Sequence, residues 1–166
     1  MTERAARLQH AFEQIHCERM VDLPMVNPAL QVAVIGFEAC EHGYLGVLLT
    51  PWCMNLVLLP NGDEWQGLMP GSKQSHALPS GSYEFIVADE LGLGRFQSCS
   101  LFSPMFEFAD QATALATAEA ALLAVNSEAA REQFGSGTAM GSVEQDETEA
   151  PAALSRRDFL RGKLRT

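Results

Sequence analysis

Between Leu30 and Met105 the chain is built of short apolar runs joined by turns, and most of the joins are too short to carry a parallel crossover. A parallel pair needs a connection of about a dozen residues or more, usually a helix, whereas antiparallel neighbours need only a turn. Gln31–Cys40 and Tyr44–Thr50 are separated by Glu41-His42-Gly43, with glycine where a left-handed backbone is wanted, which predicts a hairpin. Met54–Leu59 reads as a third strand, closed by Pro60 and the turn Asn61-Gly62-Asp63. Tyr83–Asp89 and Arg95–Phe102 flank a turn carrying Gly92 and Gly94, and a further short strand around Ser75–Leu78 is optional. The expectation is an antiparallel sheet of about five strands.

Helical signals bracket this region. Leu8, Ala11, Phe12, Ile15 and Met20 recur at the 3.6-residue period with Glu and Arg between them, so the first twenty residues predict an amphipathic helix. Pro24 and Asn27-Pro28 end it, because the residue before a proline is pushed out of the helical region. Asp110 is placed to cap a second helix with a stripe of Leu115, Ala118, Leu122 and Val125 on an alanine-rich body. Ser127 caps a short extension ending at Phe134-Gly135. The fold class expected is α+β, the sheet having its face covered by the first helix and the 110–125 helix. Residues 1–135 form the domain, 136–153 an acidic disordered linker rich in small residues, and 154–166 a basic tail with a short helix.

The length suits one domain with a core that needs no disulfide or metal. Hydrophobic residues at 47% and charged residues at 19% argue against wholesale disorder. No apolar run approaches the roughly 20 residues of a membrane span, and the amino terminus lacks the apolar core of a secretory signal. A soluble, cytoplasmic protein is expected. Cys17, Cys40, Cys53 and Cys99 are then free thiols, mostly buried. A net charge of -10 repels phosphate backbones and anionic lipids, which removes nucleic acid and membrane insertion from the range of partners.

Signs of catalysis are weak. His10, His16, His42 and His76 are scattered, and no His, Cys, Asp or Glu group has metal-ligand spacing, so no metal or cofactor is expected. Cys99 with His76 as its base is the one thiol-nucleophile pair worth naming, against the commoner role of cysteine as a small buried hydrophobe. Gly92-Leu93-Gly94 follows a strand but opens no helix, which removes a phosphate-binding role. Thr50-Pro51-Trp52 breaks a ladder and leaves Trp52 at a strand junction, either as a core tryptophan at a bend or as an anchor for a peptide. Trp65, Leu68-Met69-Pro70 and Pro104-Met105-Phe106 add adaptable side chains at element ends, suited to a flexible apolar peptide.

Leu49-Thr50-Pro51-Trp52, Leu59-Pro60 with Trp65 five residues on, Leu78-Pro79-Ser80-Gly81 and Ser98-Cys99-Ser100-Leu101-Phe102-Ser103-Pro104-Met105 together resemble the HybE family of nickel-iron hydrogenase assembly chaperones. The likeness runs over roughly residues 8 to 125, in the family's order and spacing. It implies a chaperone that holds the hydrogenase small subunit precursor, engaging its twin-arginine signal before export, without catalysis. The large subunit and other maturation factors are further partners on the same ground. A recognition surface is expected at Thr50, Pro51, Trp52, Trp65 and Ser98 to Met105. The alternatives are an adaptor between maturation factors that leaves the signal alone, and a small-molecule enzyme using Cys99 or His76.

Ser155-Arg156-Arg157-Asp158-Phe159-Leu160-Arg161 resembles a twin-arginine motif at the wrong end of the chain. Arg161, Lys163 and Arg165 interrupt the residues beyond the arginine pair, so the motif lacks the apolar core that export requires. Residues 155–166 carry a net +4, which leaves -14 for the rest. Arg156, Arg157, Phe159 and Leu160 are expected either to form a solvated interaction tail or to occupy the chaperone's own signal-binding surface, and the rival role is recruitment of another maturation factor.

Overall fold

The computed structural model describes residues 2–129. Of the expected extension only Ser127 to Ala129 is described, and residues 130–135, the linker 136–153 and the tail 154–166 lie outside the described residues. Helix α1, Glu3–Ile15, is capped by the Thr2 side chain, which accepts from the Ala5 amide, and it continues as one wider helical turn, His16–Met20. Six strands follow: β1 Ala33–Cys40, β2 Gly43–Leu49, β3 Met54–Leu59, β4 Lys73–Leu78, β5 Gly81–Glu90 and β6 Gly94–Phe102. Helix α2, Gln111–Val125, closes the domain and is capped as expected by Asp110, whose carboxylate accepts from the Thr113 amide at 2.7 Å. That hydrogen bond holds the Asp110 carboxyl below its usual pKa.

All strand pairs are antiparallel, in the order β1-β2-β3-β6-β5-β4. The sixth strand is the optional segment around Ser75–Leu78, which forms β4 at one edge. The β1–β2 loop is shorter than expected. Cys40 pairs with Gly43, so only Glu41 and His42 turn the chain. Gly43 is required there for a second reason, because a Cβ would sit 2.3 Å from the Leu59 carbonyl oxygen.

The two helices take opposite faces of the sheet instead of sharing one. On β2, Leu45, Val47 and Leu49 join a core completed by Ala114, Ala118 and Val125 of α2. Leu48 faces the other way, into a core with Ala5 and Leu8 of α1. The same alternation splits β3, with Leu56 and Leu58 toward α2 and Val57 and Leu59 toward α1. This explains why β2 and β3 are nearly continuous apolar runs, since a strand covered on both faces has no polar side to show. The buried stripe of α2 is made by Ala114, Ala118, Ala121 and Val125, while Leu115 and Leu122 pack at its margin. Alanine along that stripe lets the helix axis approach the sheet closely.

A bulge on β1 fits the sheet to both helices. Gly36 and Phe37 have φ of +79° and +69°, and the register slips between Gly36 and Glu38. The Phe37 ring is thereby thrown onto the α1 face over Gly46, where a Cβ would meet it at 2.4 Å. On the other face Leu122 of α2 sits 2.3 Å from where a Gly36 Cβ would be. The sheet also curls around α2. His42 at the β1–β2 turn bonds the Ala77 carbonyl on β4 at 3.0 Å, joining the two ends of the strand order. The Ser80 amide in the β4–β5 turn donates to Val125 at the end of α2.

Gly46→Ala is expected to cost about 1–3 kcal/mol in urea unfolding by overpacking against Phe37. Gly67→Ala, which meets nothing within 4 Å, should stay within about 0.5 kcal/mol of the parent.

Candidate functional site

Three segments that are remote in sequence meet at one end of the sheet, and Asn27 ties them together. Its side-chain amide donates to the Met105 carbonyl at 3.0 Å and the Phe108 carbonyl at 2.8 Å, and its backbone amide donates to Pro51 at 2.8 Å. Its side-chain oxygen accepts from the Ala29 amide, so every polar atom of this buried side chain is used. The sequence marked Asn27 only as the residue before Pro28. Nothing in that dipeptide points to carbonyls some eighty residues away.

The β2–β3 loop is held just as tightly. The Thr50 hydroxyl oxygen accepts from the Trp52 and Cys53 amides, and the Thr50 amide donates to the Cys53 carbonyl at 2.8 Å. Thr50 and Pro51 are therefore buried scaffold. Trp52 is half-exposed and rests against the His16 ring, with centroids 5.8 Å apart. In the third segment Phe102, Met105 and Phe108 point inward, Phe102 meeting Phe108 edge-on at 5.4 Å. Ser103, Pro104 and Phe106 point outward, and the Ser103–Pro104 bond is cis.

The outer surface of this end carries several large exposed apolar side chains. Val21, Leu23, Met25 and Phe106 are 57%, 40%, 47% and 56% exposed, each within a few residues of an atom that Asn27 holds or of Asn27 itself. Glu18, Asp22 and Glu107 interleave with them. None of the ion pairs among the described residues involves these three carboxylates.

The residues expected to form one recognition surface are divided by the fold. Thr50 to Trp52 and Phe102 to Met105 converge, because Met54 at the start of β3 pairs with Phe102 at the end of β6. Ser98, Cys99, Ser100 and Leu101 lie further along β6 within the sheet, of which Ser100 alone is exposed. Trp65 follows the other end of β3, which places it about 20 Å from Trp52 at 3.3 Å per strand residue. There it lines an open cavity of about 350 Å³ with Pro60, Asp63 and Arg95. Arg95 is already committed, to Asp89 at 3.3 Å and to the Gln66 and Leu68 carbonyls.

The proposed thiol–imidazole pair is not assembled. His76 bonds the buried Gln97 side chain at 2.6 Å and packs against His42 and Phe85. Among the described residues no hydrogen bond joins it to Cys99. Burial, and secondarily the negative charge of Glu84, push the Cys99 thiol up from its usual pKa, and burial does the same for Cys53. Such thiols hold less thiolate at neutral pH than a free cysteine. The four cysteines are unpaired, but fewer are buried than expected: Cys17 is exposed and the other three are half-buried.

Comparison with known proteins decides the family. The profile described as [NiFe]-hydrogenase assembly, chaperone, HybE matches residues 3–162. This chain belongs to that family. Protein HoxT of Cupriavidus necator is 44% identical over 133 residues, covering 70% of this chain and 72% of its own. The hydrogenase expression/formation protein HupJ of Bradyrhizobium diazoefficiens is 40% identical over 157 residues, covering 95% and 86%. The solution structure of HybE from Escherichia coli shares the fold with a TM-score of 0.63 at 23% identity, covering 91% of this chain and 92% of that one. The family is one of assembly chaperones, not of catalysts, and it has hydrogenase subunits as partners. Among the described residues no helix is long and apolar enough to cross a membrane.

Two measurements probe this end of the sheet. Asn27→Ala removes the side-chain donor to the Phe108 carbonyl and to the Met105 carbonyl, the latter keeping only the Phe108 amide, and should cost about 1–3 kcal/mol, with faster amide exchange at 105–108 than elsewhere. Under limiting alkylating agent at pH 7.5, Cys17 should react first. Cys53 and Cys99, whose raised pKa leaves less thiolate, should lag, catching up as pH rises.

Proposed function

We propose that this chaperone holds the small subunit precursor of a nickel-iron hydrogenase in the cytoplasm, gripping the twin-arginine signal region at the Asn27-centred end of its sheet until metal centres are installed. The observation that carries this reading is the pairing of exposed apolar side chains at Val21, Leu23, Met25 and Phe106, with the half-exposed Trp52, and the carboxylates of Glu18, Asp22 and Glu107, which have no ion-pair partner among the described residues. A twin-arginine signal has the complementary chemistry, two guanidinium groups followed by an apolar stretch. Apolar contact supplies the affinity, since burial is worth roughly 25 cal/mol per Å². The carboxylates supply direction and speed of encounter more than strength.

The holding task needs adaptable contacts on a firm base. Met25 and Trp52 provide the first, a flexible thioether and a large amphipathic ring. The network of Asn27 and Thr50 provides the second, so little loop entropy is lost when a peptide docks.

Trp52→Ala with Phe106→Ala in the full chain should weaken binding of a small subunit signal peptide about 10- to 100-fold, roughly 1.4–2.8 kcal/mol. Trp65→Ala, at the far end of β3, should change it less than about twofold. Calorimetric titration of the peptide into each variant reads this directly. Equal binding by the double variant, or capture of another maturation factor with no affinity for the peptide, removes the reading and leaves the adaptor role.

A further inference from the structure

We infer that residues 154–166 of this chain dock on its own apolar, acid-edged surface around Trp52 and Phe106, and compete there with an incoming precursor. Competition presupposes the function proposed above, whereas docking of the tail does not.

Charge complementarity selects the occupant. Within the described residues every arginine and lysine is already engaged. Arg4 bonds the Asn61 carbonyl and covers the Tyr44 ring, and Arg7 bonds the Gly92 carbonyl at 2.9 Å. Arg19, Lys73 and Arg95 are in ion pairs with Glu90, Glu84 and Asp89. Glu18, Asp22 and Glu107 therefore have no such cation to draw on inside the described domain. The tail brings five, Arg156, Arg157, Arg161, Lys163 and Arg165, against the single Asp158. It also brings Leu154, Phe159, Leu160 and Leu164, which suit the exposed apolar side chains between those carboxylates.

Chain geometry allows the contact. The end of β2, the start of β3 and the end of β6 share one end of the sheet, because each neighbouring pair is antiparallel. Helix α2 begins beside that end, where Gln111 bonds Gln31, and its 15 residues carry the chain about 22 Å away at 1.5 Å per residue before it leaves the described domain. Residues 130–153 separate that exit from the tail. A segment of this length spans at most about 80 Å when extended, against a radius of gyration near 14 Å for such a domain. The family match extends through residue 162, so it takes in Arg156 to Arg161 along with the domain.

Tethering makes a weak contact sufficient. At an effective concentration of order millimolar, a tail with a dissociation constant near 100 µM would cover the surface about nine-tenths of the time. A competing peptide would then bind about tenfold more weakly than to an open surface.

The test compares the full chain with its Arg156→Glu/Arg157→Glu/Phe159→Ala form, using the indole N–H resonances of Trp52 and Trp65, the only two tryptophans. The expected result is that Trp52 shifts while Trp65 does not, independently of protein concentration, and that a small subunit signal peptide binds the variant about tenfold more tightly. Docking is overturned if neither indole moves, or if only Trp65 does. A Trp52 shift that vanishes on dilution assigns the contact to a second copy and overturns docking within one chain. If Trp52 shifts but the peptide binds both forms equally, competition is overturned. If Trp52 shifts and the peptide binds neither form, the docking stands and the proposed function falls.

Discussion

The structure depends on the double burial of one hairpin. Strands β2 and β3 are apolar on both faces, and neither face can be left to water. Burying a leucine or valine side chain is worth roughly 1.5–3 kcal/mol, so the nine buried Leu, Val and Met side chains of these strands dominate the fold. Two helices are recruited, one to each face. The same demand requires the bulge at Gly36 and Phe37, which fills the space over Gly46 on one side and admits Leu122 on the other. It also accounts for the curl that brings His42 against Ala77, because a flat sheet would leave the α2 core open along its edge.

That solution leaves the ends of the central strands as the places where loops can present side chains. At one end the loops are immobilised by a buried amide. Asn27 satisfies carbonyls of a distant segment, and Thr50 closes its own turn, so the backbone around Trp52 is rigid while the rings and thioether at the surface remain free. A chaperone that must accept and later release a client benefits from this division. The fixed backbone limits the entropy cost of binding, and side chains such as Met25 adapt to whatever apolar sequence arrives.

The same packing sets the surroundings of His76 and Cys99. His76 points into a polar contact with Gln97, and Cys99 is held in a setting that disfavours its thiolate. Both lie on the side where the sheet wraps the helix, His76 edge-on to Phe85 and Cys99 against the core that Phe85 belongs to.

Strand positions, the antiparallel sense, the Asp110 cap and the bend at Pro51 were legible in the chain because each rests on local sterics and on a periodicity of two or 3.6 residues. The family was legible too, since its turn prolines and tryptophans recur at fixed spacing around Thr50 to Trp52 and Ser98 to Met105. The strand order was not, because pairing β3 with β6 depends on which apolar faces fit together across forty residues. The assignment of the helices to opposite faces, the separation of Trp52 from Trp65, and the inward turn of Phe102 and Met105 also came only with the assembled sheet. Composition marks a residue as apolar, but whether it faces core or solvent is decided by what the rest of the chain places over it. Asn27 shows this most clearly: its three hydrogen bonds to distant carbonyls exist only when three separate segments have met.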